Sequence, residues 1–156
     1  MKIFLGLFFS LFLFFSTQLK SLEKGKWSFV KTDEYCYIGS LAIETDLSPE
    51  KNRGEFYILV YKNIGDTSTV VQIEAGYDYK IGPDVVVNID KGNYVFYTTK
   101  DLPSAAWTNE DSKVIFAMKK GLELLVTGES SRGTITKDKY TLKGFTASYN
   151  KLTEDC

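Results

Sequence analysis

Downstream of residue 21 the chain alternates apolar and polar residues mostly with a period of two, the pattern of strands with one buried face. Trp27-Ser28-Phe29-Val30 opens the series, and Tyr35-Cys36-Tyr37-Ile38 follows a turn at Thr32-Asp33-Glu34. Ser48–Gly54 is a polar loop with Pro49 and Gly54 as breakers. Phe56–Tyr61 is apolar on both faces, which predicts a central position in a sheet. Val71, Ile73 and Ala75 alternate with Gln72 and Glu74, a strand with one wet face. Val85, Val87 and Ile89 lead through Asp90-Lys91-Gly92-Asn93 into Tyr94–Tyr97, a hairpin in which Gly92 is free to take positive φ. Two last strands, Leu122–Thr127 and Thr134–Thr136, are joined by Gly128–Gly133. Turn signals about every ten residues indicate a sandwich or barrel.

Two segments change period. Asn109-Glu110-Asp111-Ser112 offers helix N-caps, Val114, Ala117 and Met118 share a helical face, and Lys119-Lys120-Gly121 supplies the stop. Phe145, Tyr149 and Leu152 have i, i+4, i+7 spacing, so Gly144–Leu152 reads as a short helix packed on the strands. The predicted fold is all-β, an antiparallel, jelly-roll-like β-sandwich with one or two short helices, the last near the C-terminus.

The 21 residues before this pattern differ in kind. Lys2 precedes an apolar run, Ile3–Phe15, and Ser16–Ser21 is small and polar, as in an export signal. The run is shorter than the roughly 20 residues of a spanning helix, although a retained anchor is the rival reading. Cleavage after Ser16 and after Ser21 are both compatible with the residues. The expected organisation is a signal peptide over 1–21 and one domain over 22–156. The chain has 19 basic and 20 acidic residues, and losing Lys2 and Lys20 leaves the mature part at a net −3. Such a balance opposes nucleic-acid binding and a polybasic membrane patch. A transmembrane barrel is disfavoured too, since the strands are short and helices interrupt them. The expected location is periplasmic or secreted, with association to the outer membrane as a further alternative.

The chain has no histidine, which excludes Ser-His-Asp and Cys-His catalysis and removes the commonest metal ligand. No cofactor or metal site has a recognisable spacing, and no catalytic residue is assigned. Cys36 and Cys156 are the two cysteines, and in an oxidising compartment they are candidates for one structural disulfide. A redox pair or an intermolecular bridge is the alternative. Thr127–Gly133 has glycines and hydroxyls suited to an anion, but lacks the lysine and helix of a phosphate loop. An ordinary hairpin turn accounts for it. Asp33-Glu34 and Glu110-Asp111 are adjacent carboxylates for which a turn and a helix start compete with calcium binding. Tyr77-Asp78-Tyr79 and Tyr94–Tyr97 are candidates for a sugar-stacking platform, against ordinary sheet packing.

Most of the chain past the signal resembles one family. The Trp27-to-Cys36 opening, Ile81-Gly82-Pro83-Asp84 leading to Val87-Asn88-Ile89-Asp90-Lys91-Gly92, Met118–Leu124, and above all Leu142…Gly144-Phe145…Tyr149 are similar to the invasion-associated locus B family of alphaproteobacterial envelope proteins. The resemblance implies an exported, envelope-associated all-β protein with no established enzymatic activity. Many relatives carry another cysteine pair where this chain has Thr98…Ala105-Ala106-Trp107, so a disulfide pairing is not inherited from them. A host-invasion role is not inherited either. The expected function is binding of an envelope or cell-surface protein partner, signalled by an exposed apolar or aromatic patch. A periplasmic carrier of lipid or sugar between the sheets is the alternative. A hydrolase using carboxylates alone comes third.

Overall fold

Residues 22–156 are described by a computed structural model, and the signal expected over Met1–Ser21 lies outside the described residues. The elements run β1 (Ser28–Lys31), β2 (Tyr35–Leu41), β3 (Glu44–Thr45), β4 (Tyr57–Asn63), β5 (Val70–Glu74), β6 (Val85–Ile89), β7 (Gly92–Thr98), β8 (Ala105–Trp107), α1 (Asp111–Lys120), β9 (Glu123–Glu129), β10 (Ile135–Thr141) and α2 (Phe145–Asp155). All strand pairs are antiparallel, joined in the order β1-β2-β4-β5-β8-β7-β6-β9-β10-β3. Strand β7 turns the corner. Gly92–Phe96 pair with β6, whereas Tyr97 and Thr98 pair with β8. One layer therefore holds β1, β2, β4, β5 and β8, and the other β6, β9, β10 and β3, the sandwich that the alternation predicts.

Alternate residues of both layers meet inside. Ile38, Ile58, Val60 and Ile73 from the first layer pack with Val87, Phe96, Leu124 and Tyr140 from the second, all nearly inaccessible to water. Both helices add to this inward side, through Val114 and Met118 of α1 and Phe145 and Leu152 of α2. Trp27 locks α2 against the strands. Its ring meets Phe145 edge-on at 4.9 Å, and its indole N–H donates to the Thr141 carbonyl at 2.9 Å.

Several local expectations are corrected. Strands β3 and β8 were not legible, β9 continues through Gly128-Glu129, and β10 runs on to Thr141. Lys137-Asp138-Lys139 lies within β10, and its central aspartate points inward. At the β6–β7 hairpin the positive φ falls on Asp90 (51°) rather than Gly92. A Cβ on Gly92 would lie 2.8 Å from the Tyr94 hydroxyl, so that ring would have to shift for a larger residue. Helix α1 has Glu110 at its N-cap but no side-chain capping bond. The β5–β8 ladder stops at Gln72–Trp107, and the Asp111 carboxylate takes the next free donor, the Val71 N–H, at 2.7 Å. Burial raises the Asp111 carboxyl pKa, and that hydrogen bond opposes the shift.

Gly121 ends α1 in an extended conformation (φ −81°, ψ 165°) rather than the left-handed one. Its role is close packing. A Cβ at this position would sit 2.6 Å from Ile89 Cγ2 and 2.9 Å from Leu142 Cδ1, both in the core. Gly121→Ala is expected to cost about 1–3 kcal/mol through overpacking. Urea unfolding checks this, with a lower midpoint at an unchanged m-value. An unchanged midpoint would mean that Ile89 and Leu142 yield freely.

Candidate functional site

Two surfaces concentrate recognisable chemistry. The first is built around a buried ion pair. Strand β10 turns Thr136, Asp138 and Tyr140 inward, and Asp138 is met by Arg53 from the polar loop before β4. The guanidinium grips the carboxylate with both ends, Nη1 to Oδ1 at 2.8 Å and Nη2 to Oδ2 at 2.7 Å. The two side chains are only 6% and 4% exposed. Arg53 Nε donates to the Ala75 carbonyl at 2.6 Å, and the Thr45 hydroxyl donates to Asp138 Oδ1 at 2.7 Å. Phe56 and Tyr77 flank the guanidinium at 3.8 and 4.8 Å from their ring centres. Burial works against the Arg53 charge, but the Asp138 carboxylate outweighs it and holds the group more firmly protonated.

The loop can approach this closely because glycines meet. Gly54 N–H donates to the Gly76 carbonyl at 2.9 Å, and Gly76 has φ of 69°. A Cβ on Gly76 would lie 2.8 Å from the Glu55 carbonyl oxygen.

Beside the pair opens a surface cleft of about 680 Å³. Tyr77, Ser130, Ser131, Thr134 and Thr136 line it with hydroxyls, while Lys51, Arg53 and Arg132 line it with cations. Tyr77 and Thr136 join their hydroxyls at 2.7 Å. Burial raises the Tyr77 pKa, partly offset by that bond and by Arg53. Tyr79 and Tyr140, deeper still, are pushed up mainly by burial and stay neutral hydrogen-bonding groups.

The second surface is the outward face of the first layer. Register places Tyr37, Tyr61 and Val70 in one row, and Leu59, Gln72, Trp107 and Tyr97 in the next. Tyr35 and Tyr57 extend the face to either end. Tyr35 and Tyr97 are exposed, and the others are half-buried. Tyr35 stacks on Tyr37 at 6.1 Å, and Tyr97 tilts against Trp107 at 6.5 Å. Burial, then the neighbouring Tyr35, raises the Tyr37 pKa, and burial, then Glu74, raises that of Tyr57. Both helices pack on the opposite side. Leu22 reaches over this face, its Cδ2 lying 2.9 Å from where a Cβ on Gly39 would stand.

The residues singled out in the sequence fall as follows. Cys36 and Cys156 are joined, which ties the end of α2 to the inward side of β2, with Cα atoms 6.1 Å apart. Asp33-Glu34 is an exposed turn organised by Thr32, whose hydroxyl accepts from the Glu34 and Tyr35 N–H groups. Glu110 pairs with Lys113 at 3.0 Å, and Asp111 serves Val71. Among the described residues no group of three Cys, Asp or Glu side chains is placed to hold a metal ion. The tyrosines do not form one platform. Tyr94 and Tyr97 point to opposite faces of β7, while Tyr77 and Tyr79 meet edge-on at 5.4 Å beside the cleft. Ser130–Arg132, from the loop considered for an anion, border that same cleft.

Sequence reading missed Arg53, Asp138, Lys51 and the outward row of Tyr37, Leu59, Tyr61 and Trp107. For the row a signal existed. Phe56–Tyr61 is apolar on both faces, and β4 does lie between β2 and β5, but only one of its faces joins the core. For Arg53 and Asp138 nothing local marks a pair separated by 85 positions.

Among the described residues no helix is long and apolar enough to cross a membrane. A search of curated protein sequences gave no significant match. Among solved structures the chain is similar to the crystal structure of invasion associated protein B from Bartonella henselae. Identity is 15%, the TM-score is 0.57, and the match covers 83% of this chain and 92% of the other, a likeness of fold. The family profile described as Invasion associated locus B (IalB) protein matches residues 29–153, most of the sequence. The chain therefore belongs to the invasion associated locus B family.

Proposed function

We propose that this is an exported envelope protein that acts by binding, and that it presents the outward aromatic face of its first layer to a protein partner in the envelope or on a cell surface. The observation that carries this reading is the two rows that hold Tyr37, Tyr61, Leu59, Trp107 and Tyr97, on a face over which neither helix of the described residues packs. Aromatic side chains supply large contact area with little conformational entropy to lose, and they dominate interface energetics. Export is supported by the apolar N-terminal run, by a disulfide suited to an oxidising compartment, and by the envelope association of the family. The carrier alternative needs room between the layers, where Ile58, Ile73, Phe96 and Tyr140 are packed instead.

The test places a photo-reactive phenylalanine analogue at Tyr61 and, as a control, at Lys137 in the other layer, in cells that export the protein. A discrete cross-linked protein adduct is expected from position 61 and not from 137, and it should be lost when Trp107→Glu is added. Equal adducts at both positions, or none at 61, would overturn the reading. So would gentle purification that yields the protein carrying a small molecule released on denaturation, which is the carrier's signature.

A further inference from the structure

A different surface carries a further inference, independent of the aromatic face. Two short segments that lie far apart in sequence, Tyr77-Asp78 and Ser130-Ser131-Arg132, are brought to one cleft with Lys51 on its rim. A second open cleft of about 780 Å³ shares Asp78 and Ser131 with it and adds Lys100. The two adjoin through those shared residues and are treated together as one groove. Lys51, Lys100 and Arg132 form no ion pair with a carboxylate among the described residues. Asp78 is the carboxylate between them, and it is exposed.

The ligand's chemistry follows from which donors are free. A phosphate site on a glycine-containing loop uses backbone N–H groups turned toward the anion. Here four of them, those of Ser130, Ser131, Gly133 and Thr134, already have partners in the protein. Ser130 N–H donates to Thr134 O and Ser131 N–H to Asp78 O, both at 2.8 Å. Gly133 N–H returns to Ser130 O at 2.8 Å, and Thr134 N–H goes to Ser130 Oγ at 3.1 Å. Recognition rests on side-chain hydroxyls and on the cations at the rim, where Lys51 Nζ reaches the Thr134 hydroxyl at 3.5 Å. Hydroxyls that both donate and accept match a polyol, and separated ammonium and guanidinium groups match carboxylates spaced along a chain. We infer that this groove binds an acidic oligosaccharide, with sugar hydroxyls on Ser131, Thr134 and Asp78 and successive carboxylates on Lys51, Arg132 and Lys100.

The test follows amide and tyrosine side-chain resonances of the mature, disulfide-bonded protein while trigalacturonate is added. Neutral galactotriose and inorganic phosphate are titrated in parallel. Trigalacturonate is expected to shift Ser131, Thr134 and Tyr77 saturably. Galactotriose should bind at least tenfold more weakly, and phosphate should cause no saturable shift there. Lys51→Ala and Arg132→Ala should each weaken trigalacturonate about tenfold, the effect of one charge-assisted hydrogen bond. Both side chains are exposed, so unchanged urea midpoints certify the fold of these variants. Tyr61→Glu should leave the saccharide affinity intact, which separates this site from the aromatic face. Absent shifts at millimolar trigalacturonate, equal binding of phosphate, or undiminished affinity in the Lys51→Ala/Arg132→Ala double variant would each overturn the assignment.

Discussion

Asp138→Ala is expected to lower stability by about 3–5 kcal/mol, the cost of stranding a buried charge whose partner has been removed. The Arg53 side chain is 6% exposed and spends both ends of its guanidinium on Asp138. Without the carboxylate, the cation must either stay unpaired beside Phe56 and Tyr77 or swing out and take the Ser48–Gly54 loop with it. Thr45 loses its acceptor at the same time, which loosens the short β3–β10 pairing. A domain of this size commonly has about 5–15 kcal/mol in all, so the variant should be close to the threshold of folding. Urea unfolding measures the loss. Replacing both partners, as Arg53→Leu with Asp138→Leu, should recover much of it, because neither charge then needs solvation. A deficit below about 1 kcal/mol in the single variant would class the pair with exposed salt bridges.

That same pair marks where sequence reading ends. Strand alternation exposes the core because burying one face repeats locally every two residues, and it located Val71, Ile73, Val85 and Val87 correctly. Helix spacing did the same for Val114, Met118, Phe145 and Leu152. Lys137-Asp138-Lys139 follows the alternation as well, with the aspartate in an inward place. Its meaning depends on Arg53, and no local period encodes which distant loop delivers a counter-charge. Gly121 carries a related lesson. A glycine after two lysines reads as a left-handed helix stop, whereas Ile89 and Leu142, close in space but distant in sequence, require its lack of a side chain. The cleft was half legible. Both of its motifs were visible as separate weak signals, and only the fold sets them opposite Lys51.

Reducing the Cys36–Cys156 bond is expected to destabilise the protein by about 4–5 kcal/mol, because it closes a loop of 120 positions. In the chain-entropy account the gain lies in the unfolded state, which is denied most of its expanded conformations. The bond's place in the fold adds a native-state component. Cys36 is fully buried on the inward side of β2, and Cys156 follows directly on α2, whose Leu152 and Phe145 complete the core. Freed from Cys36, the last turn of α2 can fray, and Leu152 is the first core residue it would expose. Cys156→Ser isolates the cross-link, since it leaves Cys36 and the packing around β2 in place. Its urea midpoint should fall, and its m-value should rise as the unfolded chain expands. The oxidised chain should also gain about two mass units on reduction under denaturing conditions, one hydrogen for each sulfur. Equal midpoints for Cys156→Ser and the oxidised wild type, with no mass change on reduction, would refute an intramolecular bond. A rise in m-value with only a small fall in midpoint would contradict a loss of this size, because stability in water is the product of the two.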